Sequence, residues 1–287
     1  MIFSGCSKLD FFISANISPL KQNHVTLSDG YEATYYKVQK GKSDTTIIFV
    51  GGSGHTSLNY YLEWYFETLE NVTIYALQKR YVGHLETGED KPSKEFLQQN
   101  YYQQLLKDQQ EFVNFLIKSK KLSTKKLVVF GFSEGGDIAA KLASKTPQIT
   151  HLIMVGSGGM VGLDAFKIWG KQHDIDFDKV YEQVKKDPQN IQKQAYGETY
   201  KYWNSVLDVD PMKSLKILEI PIFVATGEKD EMAPVESVYF MQDEFVKLAK
   251  ANLTVKVYPD CNHMLEDSSG KSFRGEMLQL ASRWWNK

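Results

Sequence analysis

Ser133, within Gly131-Phe132-Ser133-Glu134-Gly135-Gly136, is the residue of this chain with the clearest chemical potential. An apolar run, Leu127 to Phe130, precedes it, and a helical pattern, Asp137 to Ser144, follows it. A serine in G-x-S-x-G between a strand and a helix sits on a sharp turn, where flanking glycines remove side chains that would clash. Its oxygen is left exposed, and the amides opening the next helix favour negative charge developing nearby. A serine hydroxyl is a poor nucleophile at neutral pH. Covalent chemistry therefore needs a histidine to take its proton and a carboxylate to orient that histidine.

Two later segments supply such residues. After the apolar run Ile222 to Ala225 comes Thr226-Gly227-Glu228-Lys229-Asp230, and after the last such run comes Pro259-Asp260-Cys261-Asn262-His263-Met264. Both Asp230 and His263 fall just beyond strand ends, where open α/β sheets place their sites. They also complete the chain order serine, acid, histidine. Of the other histidines, His24 lies in a predicted hairpin, His151 opens a strand and His173 sits in a polar insertion, while His55 and His84 precede the serine. Glu228, Asp164 and Asp260 are the competing acids. Asp164 follows the preceding strand and could serve from there, whereas Asp260 reads as a turn residue after Pro259.

The elements that must hold these residues alternate between short β-branched runs and longer helical patterns. A hairpin turning at Ser28-Asp29-Gly30, between Val25–Leu27 and Tyr31–Val38, suits an antiparallel start to a sheet. Further strands are predicted over 45–50, 72–77, 126–130, 151–155, 221–225 and 254–258, apolar enough for burial on both faces of a parallel sheet. Helices are predicted over 94–118, 234–251 and 272–285. The alternation gives an α/β fold, mostly parallel, with flanking helices. From Gly158 to about Asp210 it breaks: a polar stretch carries Phe166, Trp169, Phe177, Tyr181, Tyr196, Tyr200, Tyr202 and Trp203. This reads as a helical cap inserted in the core, giving 1–157 and 211–287 as core and 158–210 as cap. Its aromatics could cover an apolar pocket, although most are expected to pack the insertion itself.

With these residues in place, the chain resembles an α/β-hydrolase, closest in pattern to the capped branch of serine aminopeptidases, monoacylglycerol lipases and related esterases. Besides the serine turn, the resemblance rests on Asp210-Pro211 through Leu215, Ile217 and Pro221 into Gly227-Glu228-Lys229-Asp230. It implies an oxyanion hole made by the backbone N–H of Glu134 and a second N–H from Gly51-Gly52-Ser53-Gly54, aligned here to Ser53. Gly51 stands where the family's common His-Gly form has its histidine. The Glu134 side chain reads as complementing the helix dipole, or alternatively as favouring an amine-bearing substrate.

Composition narrows the partners. A formal net charge of -1, with scattered cations, offers no stripe for nucleic acid. The glycine-rich loop lacks the Lys-Ser/Thr ending of a phosphate cradle, and there is no H-E-x-x-H, Cys/His cluster or calcium-loop pattern, so no cofactor or metal is expected. No apolar run approaches the ~20 residues that span a bilayer. Two cysteines, Cys6 and Cys261, form no disulfide framework. A cytoplasmic location is expected. Phe3-Ser4-Gly5-Cys6 resembles a lipobox, which would make Cys6 a lipid anchor at the envelope if the true start lies upstream. The expected activity is acyl transfer to water from a small-molecule ester or thioester, with aminopeptidase-like amide cleavage, or a binding module without catalysis, as alternatives.

Overall fold

Alternating and β-branched runs form the strands in this computed structural model, which describes residues 19–286 except 43, 120, 123 and 124. The Phe3-Ser4-Gly5-Cys6 segment lies outside the described residues. β1 (Asn23–Thr26) and β2 (Glu32–Lys40) make the antiparallel hairpin, and Gly30 takes the positive φ of its turn. β3 (Thr45–Val50) and β4 (Val72–Leu77) follow, with α1 (Leu58–Tyr65) between them. α2 (Lys94–Gln99) and α3 (Tyr102–Lys118) lead to β5 (Lys126–Phe132), α4 (Glu134–Lys145) and β6 (His151–Val155).

Between β6 and the next core strand lie α5 (Gly162–Gln172), α6 (Phe177–Lys186), the short strands β7 (Gln194–Ala195) and β8 (Glu198–Thr199), α7 (Tyr200–Val206) and α8 (Met212–Leu215). The chain then completes β9 (Ile222–Gly227), α9 (Val235–Lys247), β10 (Leu253–Tyr258) and α10 (Arg274–Trp285). The main sheet runs β1-β2-β4-β3-β5-β6-β9-β10, antiparallel only at its first two junctions.

Successive residues on a strand face opposite sides of the sheet. Accordingly Ile48, Val50 and Val129 pack with Phe112 and Leu142 in one core, while Ile47, Phe49 and Phe130 pack with Phe66 and Trp285 in the other. Central strands β3, β4 and β9 are buried throughout, as their unbroken apolar runs imply. β10 differs: it pairs with β9 alone and leaves several residues partly exposed, because it is the edge of the sheet.

One helix expected over 94–118 is instead two. Tyr101 is fully extended, and the freed N–H of Tyr102 donates to Ser205 Oγ on α7 at 2.9 Å. Helical periodicity continues across the break, so the interruption is a tertiary effect. The insertion meets this same segment again where Lys201 Nζ reaches the Gln98 carbonyl at 2.6 Å. Its aromatics form a separate small core of Phe177, Tyr202 and Trp203, against which Phe166 and Trp169 pack.

Phe130 is wholly buried, its ring 5.2 Å from Phe66 and 5.8 Å from Phe49 and Tyr65. Phe130→Ala should lower unfolding free energy by about 3–5 kcal/mol, measured by urea denaturation, because so enclosed a site can collapse only partially. A loss below about 1 kcal/mol would contradict this packing.

Candidate active site

Ser133 lies between β5 and α4 with φ 53° and ψ −126°, a conformation costly for any residue with a side chain. Neighbouring backbone holds it there. Its N–H donates to the Val155 carbonyl of β6 at 2.8 Å. A Cβ on Gly135 would stand 2.1 Å from the Val50 carbonyl oxygen, and one on Gly131 would stand 2.3 Å from that of Gly135. The two glycines of the motif therefore let the first turn of α4 lie directly on the end of β3. That contact also brings the loop after β3 to the serine, since a Cβ on Gly52 would be 3.1 Å from Ser133 Cβ.

Asp230 follows β9 and His263 follows β10. His263 Nδ1 is 2.9 Å and 2.8 Å from the two Asp230 carboxylate oxygens, both residues being buried. Asp230 Oδ1 also accepts from the backbone N–H groups of Met232 at 2.9 Å and Ala233 at 2.8 Å. The carboxylate is thus fixed on one side by amides and on the other by the ring. The imidazole also lies 5.0 Å from the Phe132 ring, centroid to centroid, next to Ser133 in sequence. Gly156, at the end of β6 with φ 60°, makes room for the pair: a Cβ there would lie 2.7 Å from His263 Cε1.

The competing acids are elsewhere engaged. Asp260 is exposed and pairs with Lys229 and Ser268, which hold its carboxyl down at about 2. Glu228 accepts from the Asp260 N–H, and Asp164 lies in the first turn of α5. Of the earlier histidines, His84 bonds Tyr36 and His55 bonds the Asp90 carbonyl.

An apolar cavity beside Gly51, Gly52 and Ser53 is lined by Tyr61, Trp64 and Tyr65 of α1 with Phe132 and Met264. Sequence reasoning missed this wall, because α1 is short and no periodic run marks it. Only Ser57 signals its start, its hydroxyl accepting from the Asn59 N–H at 3.2 Å. Also missed were the groups around the Glu134 carboxylate. Lys79 Nζ, after β4, pairs with it at 2.8 Å, and the following Arg80 is anchored by Asp108 through bonds of 2.6 Å and 2.7 Å. Burial first, then the charge of Glu134, pushes Glu198 up to about 7 against the opposing effects of Lys79 and Asn100. Burial likewise raises Asp137 to about 7, with the Ser157 hydroxyl opposing and Glu134 adding.

Sheet order, serine turn and the acid–histidine pair at the carboxyl ends of the strands are those of the α/β-hydrolase fold. The chain belongs to the prolyl oligopeptidase family, which matches residues 86–287. No curated protein sequence matches significantly. Among solved structures, the acylaminoacyl peptidase of Pyrococcus horikoshii is 14% identical with a TM-score of 0.65, covering 96% of this chain and 43% of its own. An esterase of Pyrococcus furiosus is 18% identical with a TM-score of 0.63, covering 94% and 91%. A puromycin-hydrolyzing peptidase of Mycobacterium tuberculosis is 13% identical with a TM-score of 0.63, covering 91% and 38%. This chain thus spans less than half the length of both peptidases. Among the described residues no helix is long and apolar enough to cross a membrane, and no group of three or more His, Cys, Asp or Glu could hold a metal ion.

Gly156→Ala should push the His263 ring aside and lower kcat by about 100-fold, the usual penalty for a displacement near 1 Å. Steady-state kinetics on a variant shown to be folded by circular dichroism checks this; unchanged kcat would sink the packing role. Glu198 and Asp137 hold protons in the folded state at pH values where unfolded carboxylates have lost them. Stability therefore falls as pH rises from about 4 to 7. Thermal melts should show that slope, and Glu198→Gln should flatten it.

Proposed function

We propose that the protein hydrolyses carboxylic esters or thioesters with small to medium apolar acyl groups, through an acyl-enzyme on Ser133. The observation that carries this reading is the His263 ring, clamped through Nδ1 by Asp230 so that Nε2 is the nitrogen left to accept a proton. Ser133 Oγ attacks the carbonyl carbon as its proton passes to His263, and Asp230 stabilises the imidazolium that forms. The carbonyl electron pair moves to oxygen, where the backbone N–H groups of Ser53 and Glu134 receive the charge. One such donor is typically worth about 3 kcal/mol in the transition state. As the tetrahedral intermediate collapses, the alcohol or thiol leaves with the proton from His263. Water then gives a proton to the same nitrogen, attacks the acyl-enzyme and releases the acid.

The cavity lined by Tyr61, Trp64 and Tyr65 favours an apolar acyl group, since burying such a group gains roughly 25 cal/mol per Å². Residues 158–210 act in this reading as a cap over the site. Amide cleavage is the second reading, favoured by the peptidases among the similar folds. It uses the same steps, with His263 protonating a departing amine.

The test is turnover of 4-nitrophenyl acetate, butyrate and octanoate by wild type and Ser133→Ala, with fluorophosphonate labelling of both. Wild type should turn over the esters and label. In the variant kcat should fall by at least about 10⁴-fold and labelling should vanish. Turnover and labelling that survive Ser133→Ala would refute the nucleophile.

A further inference from the structure

The acyl-transfer reading asks the N–H of Ser53 to meet a developing negative charge, and a donor gives its full effect only if it is fixed before the charge appears. The loop that carries Ser53 has little of its own to fix it. Gly51, Gly52 and Gly54 bring no side chains. At the entry of the loop the Tyr61 hydroxyl fills the side that a residue larger than Gly51 would take, since a Cβ there would stand 3.0 Å from it. At the exit, Gly54 has φ 89° and open space around its Cα, so it is a joint about which Ser53 can swing.

The residue after that joint is His55, a side chain the acyl-transfer steps leave unused. It is only 12% exposed, and its Nε2 lies 2.8 Å from the Asp90 carbonyl oxygen. A carbonyl can only accept, so Nε2 carries the proton. The ring lies 5.5 Å from that of Phe96 on α2, centroid to centroid, and Glu86 Oε1 stands 3.8 Å from Nε2. The next two residues are tied to the same stretch of chain. The Thr56 hydroxyl donates to the Thr87 carbonyl at 3.1 Å, and the Ser57 N–H donates to that of Glu86 at 2.8 Å. Gly88, with φ 79°, permits so close a crossing, because a Cβ there would stand 2.4 Å from Thr56 Oγ1. Glu86 in turn accepts from the Gly83 N–H at 2.8 Å, and the Tyr60 hydroxyl of α1 donates to the Leu85 carbonyl at 2.9 Å. Residues 83–90, between β4 and α2, thus form a strap that is fastened to α1 and grips the exit of the glycine loop.

We propose that His55 is a positioning residue for the oxyanion hole: its Nε2–H bond to the Asp90 carbonyl holds the exit of the loop so that the Ser53 N–H is aimed before substrate arrives. Of the three tethers to the strap, this one is nearest to Ser53, with only Gly54 between. Losing it frees the joint at Gly54, whereas the bonds of Thr56 and Ser57 lie beyond and hold the start of α1. The carbonyl of a bound substrate is a weak acceptor and the oxyanion a strong one, so the loss falls on kcat and leaves KM almost unchanged. This inference rests on the acyl-transfer reading above.

Three substitutions separate the hydrogen bond from mere packing. His55→Gln keeps an N–H that can reach the Asp90 carbonyl and gives up the ring; His55→Phe keeps a ring against Phe96 and gives up the N–H; His55→Ala removes both. The readouts are kcat and KM with 4-nitrophenyl butyrate and the rate constant for fluorophosphonate labelling, which also loads negative charge onto an oxygen at the hole and needs no substrate. Ala and Phe should lower kcat and the labelling rate by at least about tenfold with KM within about twofold of wild type, while Gln should stay within about threefold in all three. A labelled wild type with Phe as active as Gln or more so, with Ala close to wild type, or with the losses appearing in KM would overturn the positioning role. A wild type that neither turns over ester nor labels would overturn the acyl-transfer reading beneath it.

Discussion

The first turn of α4 lies on the carboxyl end of β3 with no side chain between them, and the site is organised around that contact. A single methyl group on Gly135 would come within 2.1 Å of the Val50 carbonyl oxygen. Because the two backbones touch, Ser133 is held in a conformation it would not adopt freely, and the loop after β3 is brought against its Cβ. The serine turn and the loop after β3 thereby come from segments about 80 residues apart whose mutual position follows from backbone packing. The strain is offset by the continuous hydrogen bonding of β3, β5 and β6 on which the turn is built.

A similar economy of space governs the other half of the site. Asp230 and His263 sit on loops following adjacent parallel strands, so the β9–β10 register sets their separation before any side chain interacts. Gly227 allows the loop of His263 to cross closely, since a Cβ there would stand 2.1 Å from the Cys261 carbonyl oxygen. The amides of Met232 and Ala233 then orient the carboxylate, which orients the ring. Each tier leaves the next few alternatives, which suits a group that must be placed to within a fraction of an ångström.

The insertion contributes differently. Its aromatic residues consolidate a small core of their own, while its polar side chains, Glu198, Ser205 and Lys201, reach the segment around Asn100 and Tyr101. Breaking the 94–118 helix is the structural consequence. The result is a polar cluster of Glu134, Glu198 and Asn100 between the insertion and the serine turn, while Lys79, paired with Glu134, also lines the apolar cavity walled by α1.

Local chemistry explains which parts of this were legible beforehand. The strands 45–50, 72–77 and 151–155 agree with their predicted limits, because apolar β-branched runs buried on both faces leave little choice. Ser133, Asp230 and His263 stood out since each lies in a loop after such a strand, and the Gly131 and Gly135 positions are dictated by a steric need that sequence displays directly. The broken helix at Tyr101, the aromatic wall of α1 and the meeting of Lys79, Asn100, Glu134 and Glu198 were invisible. Lys79 and Glu198 lie 119 positions apart, and no periodicity couples these residues. What the sequence determined by itself was the order of elements and the residue types at their ends, which local sterics and hydrophobic pattern control. Only the tertiary structure decided which charges share a buried space, because that follows from how the insertion folds back over the sheet.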